Sequence, residues 1–555
     1  MKRIILPALV VLGAWTLAWG EDFNQWRGSQ RNGLMTNGPA LDIRWSSAGP
    51  AKVWESEDIP SVMNDEGEGG GWGGVSVTGG KAYVYVDWRR KVVIATRTLS
   101  DSALQHLGWT KWKPPEEILQ AVEEARTGAE LAKLVGTPRV EWIRKWAEDH
   151  GTTAPDKKQI FNYVVDRLSR GKDALPLDLL AKLETIRNKE FPDQAALDAW
   201  FSENGVSDEH KAEVLKLIPT TVNKATDTLV CLNAADGKTL WKKQSDGRAW
   251  GYGACCTPTV VDGRCYFGGS DCDFYCLDAA TGDEVWKFRT TERRRLTMYS
   301  GNINASPLVC DGKVIVSAGQ LVALDQSKGT IVWKQPDVRH TDSSPVAWRS
   351  GDRTLVLCNS SPCLYGVDIQ NGQIVWSVPA GGRNTPAVVG DLLVTSEVVG
   401  EYKGDATRYG LITYKLSAEK PEKLWFKPEY THCGDASPLI YGNYVYSFSS
   451  GAKSDLCLDL ATGKVAWEQK ATLSSCSSPV GADGKSITQN RAAVMVIRAT
   501  PEKYELLGKA VLPVSKWSSP TLADGRLYVR QKKNVACYDL TRPTAAAAPE
   551  APAAK

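Results

Sequence analysis

The chain has little net charge for its length. Lysine and arginine number 67 against 64 aspartates and glutamates, so the formal charge of the 555 residues is only +3. This balance provides no electrostatic attraction to nucleic acid or to an anionic membrane surface. Histidine is also scarce, with five in the whole chain, which disfavours a metal site built from several imidazoles. Serine-nucleophile elbow, P-loop and dinucleotide-binding fingerprints are missing from the sequence.

Long apolar runs are missing except at the start. Lys2 and Arg3 precede an apolar stretch at 4–17, and the tripeptide AWG at 18–20 places small residues where a signal peptidase recognises its substrate. The sequence therefore predicts a signal peptide at 1–20 and a periplasmic or secreted protein without an integral membrane span. An uncleaved anchor is the alternative. No cysteine follows the apolar run at the place where a lipoprotein is acylated, so we expect no lipid anchor.

Cysteine is absent from the first part of the chain, and all 13 cysteines lie at Cys231 or beyond. An exported protein meets oxidising conditions, so disulfides are allowed, and the odd number leaves at least one thiol unpaired within the chain. Four of the cysteines share one repeat position, at which another repeat has Ala323. We interpret these four as small buried residues in place of alanine: Cys231, Cys276, Cys457 and Cys537.

A motif recurs along the chain with a period of roughly 40 to 50 residues, which is typical of propeller repeats. Each copy begins with Ser-Pro or Thr-Pro, and in several copies an Asp-Gly pair such as Asp262-Gly263 follows, which suits a tight hairpin with positive φ. Alternating apolar residues predict four short strands in each copy. We interpret the tryptophans that end the copies as packing residues between adjacent blades: Trp241, Trp286, Trp333, Trp376, Trp425 and Trp467.

The two ends of the repeat region determine the number of blades. The last copy stops at VACYDL and lacks its fourth strand, whereas the sequence AKVW at 51–54 stands before the first copy as a surplus fourth strand. We therefore predict that the N-terminal strand completes the last blade, which removes free sheet edges. The predicted fold is all-β: an eight-bladed β-propeller closed by the N-terminal strand, with an all-α insertion in blade one.

Blade one is interrupted between its second and third strands, KAYVYV and TLVCLN. The residues between them have helical periodicity, and we interpret their aromatic stripes as a core of their own, with a partner groove as the alternative. Because adjacent strands run in opposite directions, a connection from strand two to strand three lies on the face of the blade-to-blade loops. We therefore hypothesise that the insertion forms a lid or wall beside the central channel. The predicted helices are 114–126, 139–149, 157–169, 177–189, 194–203 and 208–218.

These patterns divide the chain into five segments. The predicted segments are the signal peptide at 1–20, an N-terminal segment with the closing strand and the first half of blade one at 21–97, the helical insertion at 98–226, the rest of the propeller at 227–541 and a disordered Ala/Pro-rich tail at 542–555.

Three copies of one stretch carry a family resemblance: LDAATGDEVW at 277–286, LNAADGKTLW at 232–241 and LDLATGKVAW at 458–467. They resemble the PQQ-like propeller repeat, which occurs in quinoprotein alcohol dehydrogenases and in non-enzymatic scaffolds such as the outer-membrane-protein assembly lipoprotein. The opening WRGSQRNG at 26–33 is also similar to the start of many exported proteins with this repeat. The resemblance covers 53–540 apart from the insertion. It implies the fold and leaves the function open, because one fold hosts unrelated sites.

The loops between blades carry the most varied polar residues. They precede the first strand of each blade, which usually lines the axis, and convergent polar groups over a channel are the default location of a ligand site. The alternative is that these residues cap strands and bind water. The candidate ligand-binding residues are Trp250, Tyr252, Cys255, Cys256, Asn302, Asn304, Arg339, His340, Arg383, Asn384, His432, Lys516 and Trp517.

The adjacent pair Cys255-Cys256 resembles the vicinal disulfide of PQQ-dependent alcohol dehydrogenases; the alternative, which we favour, is one core cysteine beside a chance neighbour. That family resemblance implies PQQ with a calcium ion held by carboxylate and amide oxygens, and an aspartate as general base. The third copy, SAGQLVALD, has no glutamate where that family supplies a ligand, and no Cys-x-x-Cys-His haem site occurs. Asp342 and Asp435 are nominated as catalytic candidates without motif support, and the sequence assigns no metal ligands.

The sequence leaves three classes of function. We favour a non-catalytic binding or assembly scaffold that presents the blade-to-blade loops and the insertion to a protein or polysaccharide partner in the cell envelope. The alternative is a PQQ-dependent or PQQ-like oxidoreductase acting on an alcohol or a sugar. An enzyme of another class, using the mouth of the channel, is the third.

Overall fold

The structure is a computed structural model. It describes residues 21–45, 48–59, 72–248, 255–290, 304–339, 342–401, 407–432, 436–448, 454–470, 477–489, 493–515, 518–531 and 534–542. The predicted signal peptide and nearly all of the predicted tail lie outside these residues. The chain divides into two compact units, one formed by Lys91–Asn223 and the other by the rest of the chain.

The larger unit contains eight sheets within the described residues, and each sheet has four strands that follow one another in the hydrogen-bonded order. Sheet 7 has a fifth strand, Leu34–Met35, which runs parallel to Val480–Ala482. The strands of sheets 1 to 4 are Val75–Thr78, Lys81–Val93, Thr221–Asn233 and Thr239–Gly247; Thr259–Val261, Arg264–Gly268, Asp273–Asp278 and Glu284–Arg289; Leu308–Cys310, Lys313–Ser317, Leu321–Asp325 and Ile331–Gln335; and Val346–Ser350, Arg353–Ser360, Cys363–Asp368 and Ile374–Pro379.

Sheets 5 to 8 repeat the same arrangement. Their strands are Ala387–Val389, Leu392–Glu401, Thr407–Lys415 and Glu422–His432; Leu439–Tyr441, Tyr444–Ser447, Ser454–Asp459 and Val465–Lys470; Val480–Ala482, Lys485–Gln489, Ala493–Arg498 and Leu506–Val511; and Thr521–Ala523, Arg526–Arg530, Val535–Asp539 and Ala51–Glu55.

The turn between the first and second strands has the predicted conformation. Asp262 and Gly263 have φ values of 52° and 70°, and the Asp-Gly pairs at 311–312, 483–484 and 524–525 are also positive at both residues. Positive φ at both central residues is the requirement of a type I′ hairpin turn, which Asp-Gly meets at little cost. The predicted Asp-Gly hairpins are confirmed.

The tryptophans of the fourth strands form the seams between neighbouring sheets. Trp286 of sheet 2 donates its indole N–H to the carbonyl of Gln326 in sheet 3, at 3.0 Å. Its ring lies on Gly329, where an added Cβ would come within 2.5 Å of the indole. Four of the other five predicted tryptophans also reach the following sheet, and Trp376 is buried in an apolar cluster that contains Leu393 of sheet 5. The four are Trp241 on Gly282, Trp333 on Gly372, Trp425 on Gly463 and Trp467 to the carbonyl of Thr500. The predicted packing role is confirmed.

The repeat-position cysteines lie directly beneath these tryptophans. Cys276 pairs across the sheet with Trp286, as Ala323 pairs with Trp333. Cys231, Cys276, Cys457 and Cys537 are fully buried at this position. A bulky indole leaves room only for a small neighbour, so the interpretation of these cysteines as small core residues is confirmed.

A relay of hydroxyl groups joins the starts of the first strands. In six of the seven Ser/Thr-Pro pairs, the Ser or Thr accepts a hydrogen bond from the backbone N–H of the equivalent residue in the preceding sheet, as Ser306 does from Thr257 at 2.9 Å. The hydroxyl of the seventh, Thr385, accepts from the indole N–H of Trp26. The relay residues in these bonds are Gly74, Thr257, Ser306, Ser344, Thr385, Ser437, Ser478 and Ser519. The relay explains why the repeat needs a hydroxyl residue before its proline.

The N-terminal strand Ala51–Glu55 pairs with Val535–Asp539, and Trp54 lies opposite Cys537. This pairing is the one that the sequence predicts for the surplus fourth strand. Trp54 also makes a seam contact like those of the repeat, because its indole N–H donates to Ala234 of sheet 1 at 2.9 Å. Its ring lies on Gly237, where an added Cβ would be 2.5 Å away.

The smaller unit is helical. Its helices are α1 (Asp101–His106), α2 (Glu116–Thr127), α3 (Ala129–Ala132), α4 (Thr137–Asp149), α5 (Lys158–Arg170), α6 (Leu177–Thr185), α7 (Gln194–Glu203) and α8 (Asp208–Leu215), with 3-10 turns at Pro155–Lys157 and Gly171–Asp173. The helix predicted at 177–189 is too long, because Asn188 takes a φ of 58° and the chain then enters strand Glu190–Phe191, which pairs with Arg97–Thr98. Helix α1 was not predicted, although Ser100 caps it by accepting from the N–H of Ala103.

This unit has its own apolar core. Ile143 of α4 and Val164 and Leu168 of α5 are buried together, and Trp142 and Trp146 pack against them. The interpretation of the aromatic stripes as a core is confirmed. Within the described residues, none of the helices is long and apolar enough to span a membrane.

Candidate functional site at the start of the first strands

One loop residue per sheet stands two positions before each relay residue. Because the relay joins equivalent positions of neighbouring sheets, these loop residues come from several sheets to the same end of the first strands. Four of them, Cys255, Asn304, Asp342 and Arg383, are predicted site residues that the structure describes. We call these four the mouth cluster.

Asn304 and Asp342 are in direct contact within the mouth cluster. The Nδ2 group of Asn304 donates to Oδ1 of Asp342 at 2.9 Å. The Oδ1 atom of Asn304 is buried and has no hydrogen-bond partner among the described residues. Burial raises the pKa of the Asp342 carboxyl, while the hydrogen bond from Asn304 and the positive charge of Arg383 act in the opposite direction. These two predicted residues are therefore brought together with Arg383 nearby.

Cys255 belongs to the same electrostatic environment. Burial, and then the negative charge of Asp342, raise the pKa of the Cys255 thiol to about 12. A thiol with so high a pKa is a poor nucleophile, because the thiolate is the reactive form. The mouth cluster therefore combines one carboxyl, one amide, one thiol and one guanidinium, which suits recognition of a polar group better than covalent catalysis.

Cys256 is a core residue. Its Sγ atom accepts from the backbone N–H of Gly268 at 3.3 Å, and the side chain is fully buried among apolar residues of sheets 1 and 2. Burial raises the pKa of its thiol to about 12. This environment agrees with the core-cysteine interpretation that the sequence favours.

Two other predicted residues stabilise the loops themselves. Asn384 is fully buried, and its side chain bonds to Asn359, Thr395 and Ser396. Arg339 is exposed, and its Nε group donates to the carbonyl of Pro336. Both residues agree with the alternative interpretation, in which the polar loop residues cap the ends of strands. Seven predicted residues lie outside the described residues, namely Trp250, Tyr252, Asn302, His340, Asp435, Lys516 and Trp517, and His432 is described only in its backbone, as the last residue of its strand.

Sequence reasoning missed a group of residues that contact the starts of the first strands in several sheets. Residues 23–35, which we call the axial segment, run from sheet 1 to sheet 7. Arg31 of this segment donates to the carbonyls of Ser306 and Pro307, each at 2.8 Å, and to Gln25 at 2.9 Å. Arg31 is only 2% exposed. Arg31 is therefore a buried hydrogen-bond donor to two carbonyl groups at the start of sheet 3.

Arg27 and Trp26 make corresponding contacts with other sheets. Arg27 donates to the carbonyl of Pro438 in sheet 6 at 2.7 Å, and Trp26 donates to the relay hydroxyl of Thr385 in sheet 5 at 2.9 Å. Asn24 exchanges two hydrogen bonds with Val260 of sheet 2. The axial segment therefore contacts residues at the starts of sheets 2, 3, 5 and 6.

The two arginines of the axial segment are deeply buried. Among the described residues, no carboxylate pairs with Arg27 or Arg31, and burial lowers the pKa of each guanidinium to about 9. Arginine is rarely fully buried without a partner, so sequence reasoning assigns such residues to the surface by default. The one signal in the sequence was the WRGSQRNG opening at 26–33. Its resemblance to the start of other exported proteins did not indicate what its arginines do.

A second buried polar group lies in the seam between sheets 1 and 2. Asp227 is buried and accepts from the hydroxyl of Tyr85 at 2.5 Å and from the backbone N–H of Ser270 at 2.9 Å. Burial, followed by the negative charge of Asp87, raises the pKa of Asp227 to about 7. Asp87 itself is buried in an ion pair with Arg89. No motif marks these residues in the sequence.

The PQQ and calcium that the resemblance implies can be tested against these residues. Calcium takes about six to eight oxygen ligands, whereas the mouth cluster offers one carboxylate and one amide beside a positive Arg383. Among the described residues, no group of three or more His, Cys, Asp or Glu is arranged to hold a metal. The axial segment also lies near these residues, because Arg31 is close enough to Cys256 to interact with it electrostatically. The described residues do not fit a calcium–PQQ site.

Repeated four-stranded sheets, tryptophan seams and a hydroxyl relay together define a β-propeller protein built from PQQ-like repeats. The family model described as outer membrane protein assembly factor BamB matches residues 219–397 and 317–499, which together span about half of the chain. The chain belongs to this PQQ-like repeat family.

The chain is similar to curated proteins of different activities. It is 26% identical over 247 residues to tetrathionate hydrolase of Acidithiobacillus ferrooxidans, covering 42% of this chain and 41% of that protein. It is 35% identical over 115 residues to quinohemoprotein alcohol dehydrogenase of Comamonas testosteroni, covering 19% and 15%. It is 23% identical over 227 residues to BamB of Shewanella oneidensis, covering 39% and 56%. The chain thus spans between 15% and 56% of the length of these relatives.

Among solved structures, the crystal structure of BamB from Moraxella catarrhalis is similar with a TM-score of 0.44 and 17% identity, covering 56% of this chain and 88% of that one.

Proposed function

We propose that the protein is a binding or assembly scaffold of the cell envelope, exported by its N-terminal signal peptide. Eight blades form a ring that the N-terminal strand closes, and the blade-to-blade loops and the helical insertion are presented to a partner protein. The observation that carries this proposal is the axial segment. Because residues 23–35 fill the space among the first strands, the binding surface is the loop face of the ring and not an axial cofactor cavity.

The closed ring is supported by the contacts between sheets 8 and 1. Trp54 lies on Gly237 just as Trp286 lies on Gly329. On the axial side, Thr521 of sheet 8 donates to the carbonyl of Val75 in sheet 1 at 2.7 Å, as Thr259 of sheet 2 donates to Pro307 at 2.6 Å. Equivalent contacts at both the rim and the axis are what a ring of equal blades requires.

The family supports a protein partner over a polysaccharide. The matching family model and one of the relatives are named for assembly of outer membrane proteins. A mixed set of carboxyl, amide and guanidinium groups at the mouth cluster suits the polar rim of a protein interface. The low identity leaves the particular partner to experiment.

Site-specific crosslinking in intact cells tests the proposal. A photoreactive residue replaces Arg383, which is exposed at the mouth cluster, and a control replaces Asp352, which is exposed in the hairpin turn of sheet 4. We expect one discrete crosslinked protein from position 383 and none from position 352. Equal crosslinking from both positions, or none from either, contradicts a partner on the loop face.

A PQQ-dependent oxidoreductase is the second candidate, and the match to a quinohemoprotein alcohol dehydrogenase favours it. Incubation with PQQ and calcium, followed by gel filtration, separates the two functions. The scaffold proposal expects no quinone absorbance to elute with the protein. Stoichiometric retention of PQQ, with reduction of a dye by an alcohol, establishes the oxidoreductase instead.

A further inference from the structure

A cleft lies between sheets 4 and 5 of the larger unit. Its volume is about 420 Å³, and it is lined by Cys363, Ser377 and Glu397 together with apolar residues such as Pro362 and Val398. This volume lies within the range of about 300–1,000 Å³ that is usual for small-molecule sites. The cleft is therefore large enough to receive a ligand or a side chain of a partner.

The cleft lies at the same end of the strands as the mouth cluster. Its residues from sheet 4 come from the turn after the second strand and from the end of the fourth strand, Ile374–Pro379. Because neighbouring strands of this sheet are antiparallel, both places lie at the end where the first strand starts. The mouth cluster stands before the first strands, so a molecule that approaches this end of the sheets meets both.

The side chain of Glu397 faces sheet 4 across this cleft. Leu393 of the same strand is buried in an apolar cluster with Val378 of sheet 4. Alternate residues of a strand share a face, so Glu397, four positions after Leu393, points to the same side. Tyr414 stands opposite Leu393, and its hydroxyl donates to the carbonyl of Pro379 at 2.7 Å.

The electrostatics of Tyr414 place the polar groups of the cleft close together. Burial raises the pKa of its phenol, and the negative charges of the Glu397 carboxylate and of a Cys363 thiolate raise it further. Both groups therefore lie near the phenol oxygen, which is bonded to Pro379 in the wall of the cleft.

Glu397 has an acceptor atom without a donor. Its Oε2 atom is buried and has no hydrogen-bond partner among the described residues. Burial raises the pKa of this carboxyl, and the positive charge of Lys423 acts in the opposite direction. Lys423 is exposed, and the structure shows no ion pair between these two described residues. Leaving a buried acceptor without a donor is costly, so the carboxyl is poised to accept from a ligand.

The lining of the cleft selects the kind of ligand that fits. The described residues that line it include no lysine, arginine or histidine, so a positive charge must come from the ligand. The apolar residues Pro362, Pro379 and Val398 lie beside the carboxyl and suit a hydrocarbon chain. An alkyl ammonium group combines three N–H donors with an apolar stem, as the side chain of lysine does.

We propose that this cleft is a binding site for an aliphatic ammonium ion, whose charged group donates to Glu397 and whose hydrocarbon chain packs against the neighbouring prolines and valines. A lysine side chain of a partner protein or a free amine supplies this group. The site does not depend on the proposed scaffold function, because a free amine occupies it in the purified protein.

Alkylation of Cys363 provides the first test, because this residue lines the cleft. The full chain is treated with iodoacetamide at pH 8 and constant ionic strength, and the rate at each cysteine is followed by peptide mass spectrometry. We expect pentylammonium chloride to slow the labelling of Cys363 severalfold and in a saturable manner. Labelling of Cys310, a half-buried cysteine of sheet 3, should not change. The neutral analogue 1-pentanol should not protect Cys363, and equal protection by the alcohol, or no protection by the amine, overturns the proposal.

The carboxyl is tested with E397Q, which keeps the size of the side chain and removes its charge. We expect protection of Cys363 to need about tenfold more pentylammonium, because a hydrogen bond to an ionised acceptor is about twice as strong as one to a neutral acceptor. E422Q removes an exposed carboxyl from the same sheet and should behave as the unaltered chain. Undiminished protection in E397Q contradicts the proposal. If E397Q does not fold, the comparison of amine with alcohol on the unaltered chain decides the question.

Once protection is established, crosslinking in cells identifies the source of the ammonium group. A photoreactive residue replaces Ser377, which is exposed at the edge of the cleft. A discrete crosslinked protein that is lost on adding E397Q supports a lysine side chain of a partner. Protection by pentylammonium without a crosslinked protein supports a free amine as the ligand.

Discussion

The seams between the sheets and the axis hold the larger unit together by different means. At a seam, a tryptophan of one sheet lies on a turn glycine of the next, as Trp286 does on Gly329. At the axis, arginines of a single segment donate to carbonyls of several sheets, as Arg31 does to Ser306 and Pro307. The tryptophan contacts recur at most junctions between sheets, although the fourth strand of sheet 7, Leu506–Val511, has no tryptophan. The axial contacts are hydrogen bonds made by the side chains of one segment.

This difference shows where stability and specificity come from in a repeated fold. A seam contact depends only on neighbouring repeats, so it can be duplicated with them and add a similar increment for each pair. An axial contact depends on which sheet stands at which place around the segment. The axial segment therefore distinguishes between sheets that have equivalent tryptophan contacts, because each of its side chains contacts a particular sheet.

Removing a seam tryptophan is expected to have the largest effect. W286A deletes an indole within the repeats, and W54A deletes the equivalent indole at the junction of sheets 8 and 1. Large-to-small substitutions of buried aromatic residues cost about 3–5 kcal/mol. We expect both variants to lose this amount, and to agree within about 1 kcal/mol, in urea denaturation followed by circular dichroism.

The Trp54 variant tests ring closure most sharply. If W54A loses less than half as much stability as W286A, the junction of sheets 8 and 1 is a weak edge and the proposed closed ring is wrong. W88A serves as the control, because Trp88 belongs to a strand of sheet 1 but is only partly buried and lies under Lys242.

The buried carboxyl of Asp227 makes one seam sensitive to pH. Its pKa is about 7 in the folded protein, against an ordinary value of 3.8, so the folded state binds the proton more tightly than the unfolded state. The contribution of this carboxyl to stability is then greatest below about pH 4 and falls as the pH rises to about 7, by up to ~4 kcal/mol. We expect D227N to reduce this fall in denaturation curves measured between pH 4 and pH 8.

Asp227 is flanked by Tyr85, by Asp87 and by the Arg89 that pairs with Asp87, so the comparison needs a control in the same environment. Y85F keeps the carboxyl and removes one hydrogen bond to its charged form, which should raise the pKa further and steepen the fall. A flat pH profile in the unaltered chain would falsify the assignment of a protonated Asp227 to this seam.

Sequence reasoning succeeded where the molecule repeats. The positive φ of Asp262 and Gly263, the place of Trp286 and the small residue at Cys276 each follow from a local rule that several copies state independently. The pairing of Val535–Asp539 with the N-terminal strand was also predictable, because one repeat lacked a strand and another had one too many.

Sequence reasoning failed where the structure depends on contacts that are not repeated from one blade to the next. Arg27 and Arg31 contact carbonyls that lie hundreds of positions away in the sequence. Since every residue has a backbone carbonyl, the sequence does not indicate which carbonyls accept these hydrogen bonds. Asp227 and Tyr85 meet across the interrupted blade, 142 positions apart in the sequence. Of the predicted site, the pairing of Asn304 with Asp342 was within reach because both stand at one repeat position.

The axial contacts are tested by R31M. Methionine has a similar length but removes the Arg31 donor from the carbonyls of Ser306 and Pro307, of which Pro307 still accepts from Thr259. Unsatisfied buried carbonyls and lost charge-assisted bonds cost about 3 kcal/mol together, so we expect a loss of that size in the free energy of unfolding. R44M removes an exposed ion pair that solvent screens, and should leave the free energy of unfolding nearly unchanged. A stabilised R31M means that relief from burying the charge outweighs the three hydrogen bonds, and that the axis is not a source of stability.

Two glycines of sheet 2 allow a turn that contacts a seam tryptophan to be compared with a turn that contacts no other side chain. Gly282 and Gly263 both have positive φ, 79° and 70°. An added Cβ at Gly282 would lie 2.6 Å from the ring of Trp241, whereas nothing lies within 4 Å of one at Gly263. We expect G263A to lose about 1 kcal/mol from backbone strain alone. G282A should lose about 2 kcal/mol more, because the indole must move. Since both variants carry the same strain, the difference between their free energies of unfolding measures the rigidity of the seam. A difference near zero means that the tryptophan shifts freely, and that the sheets are held in place mainly from the axis.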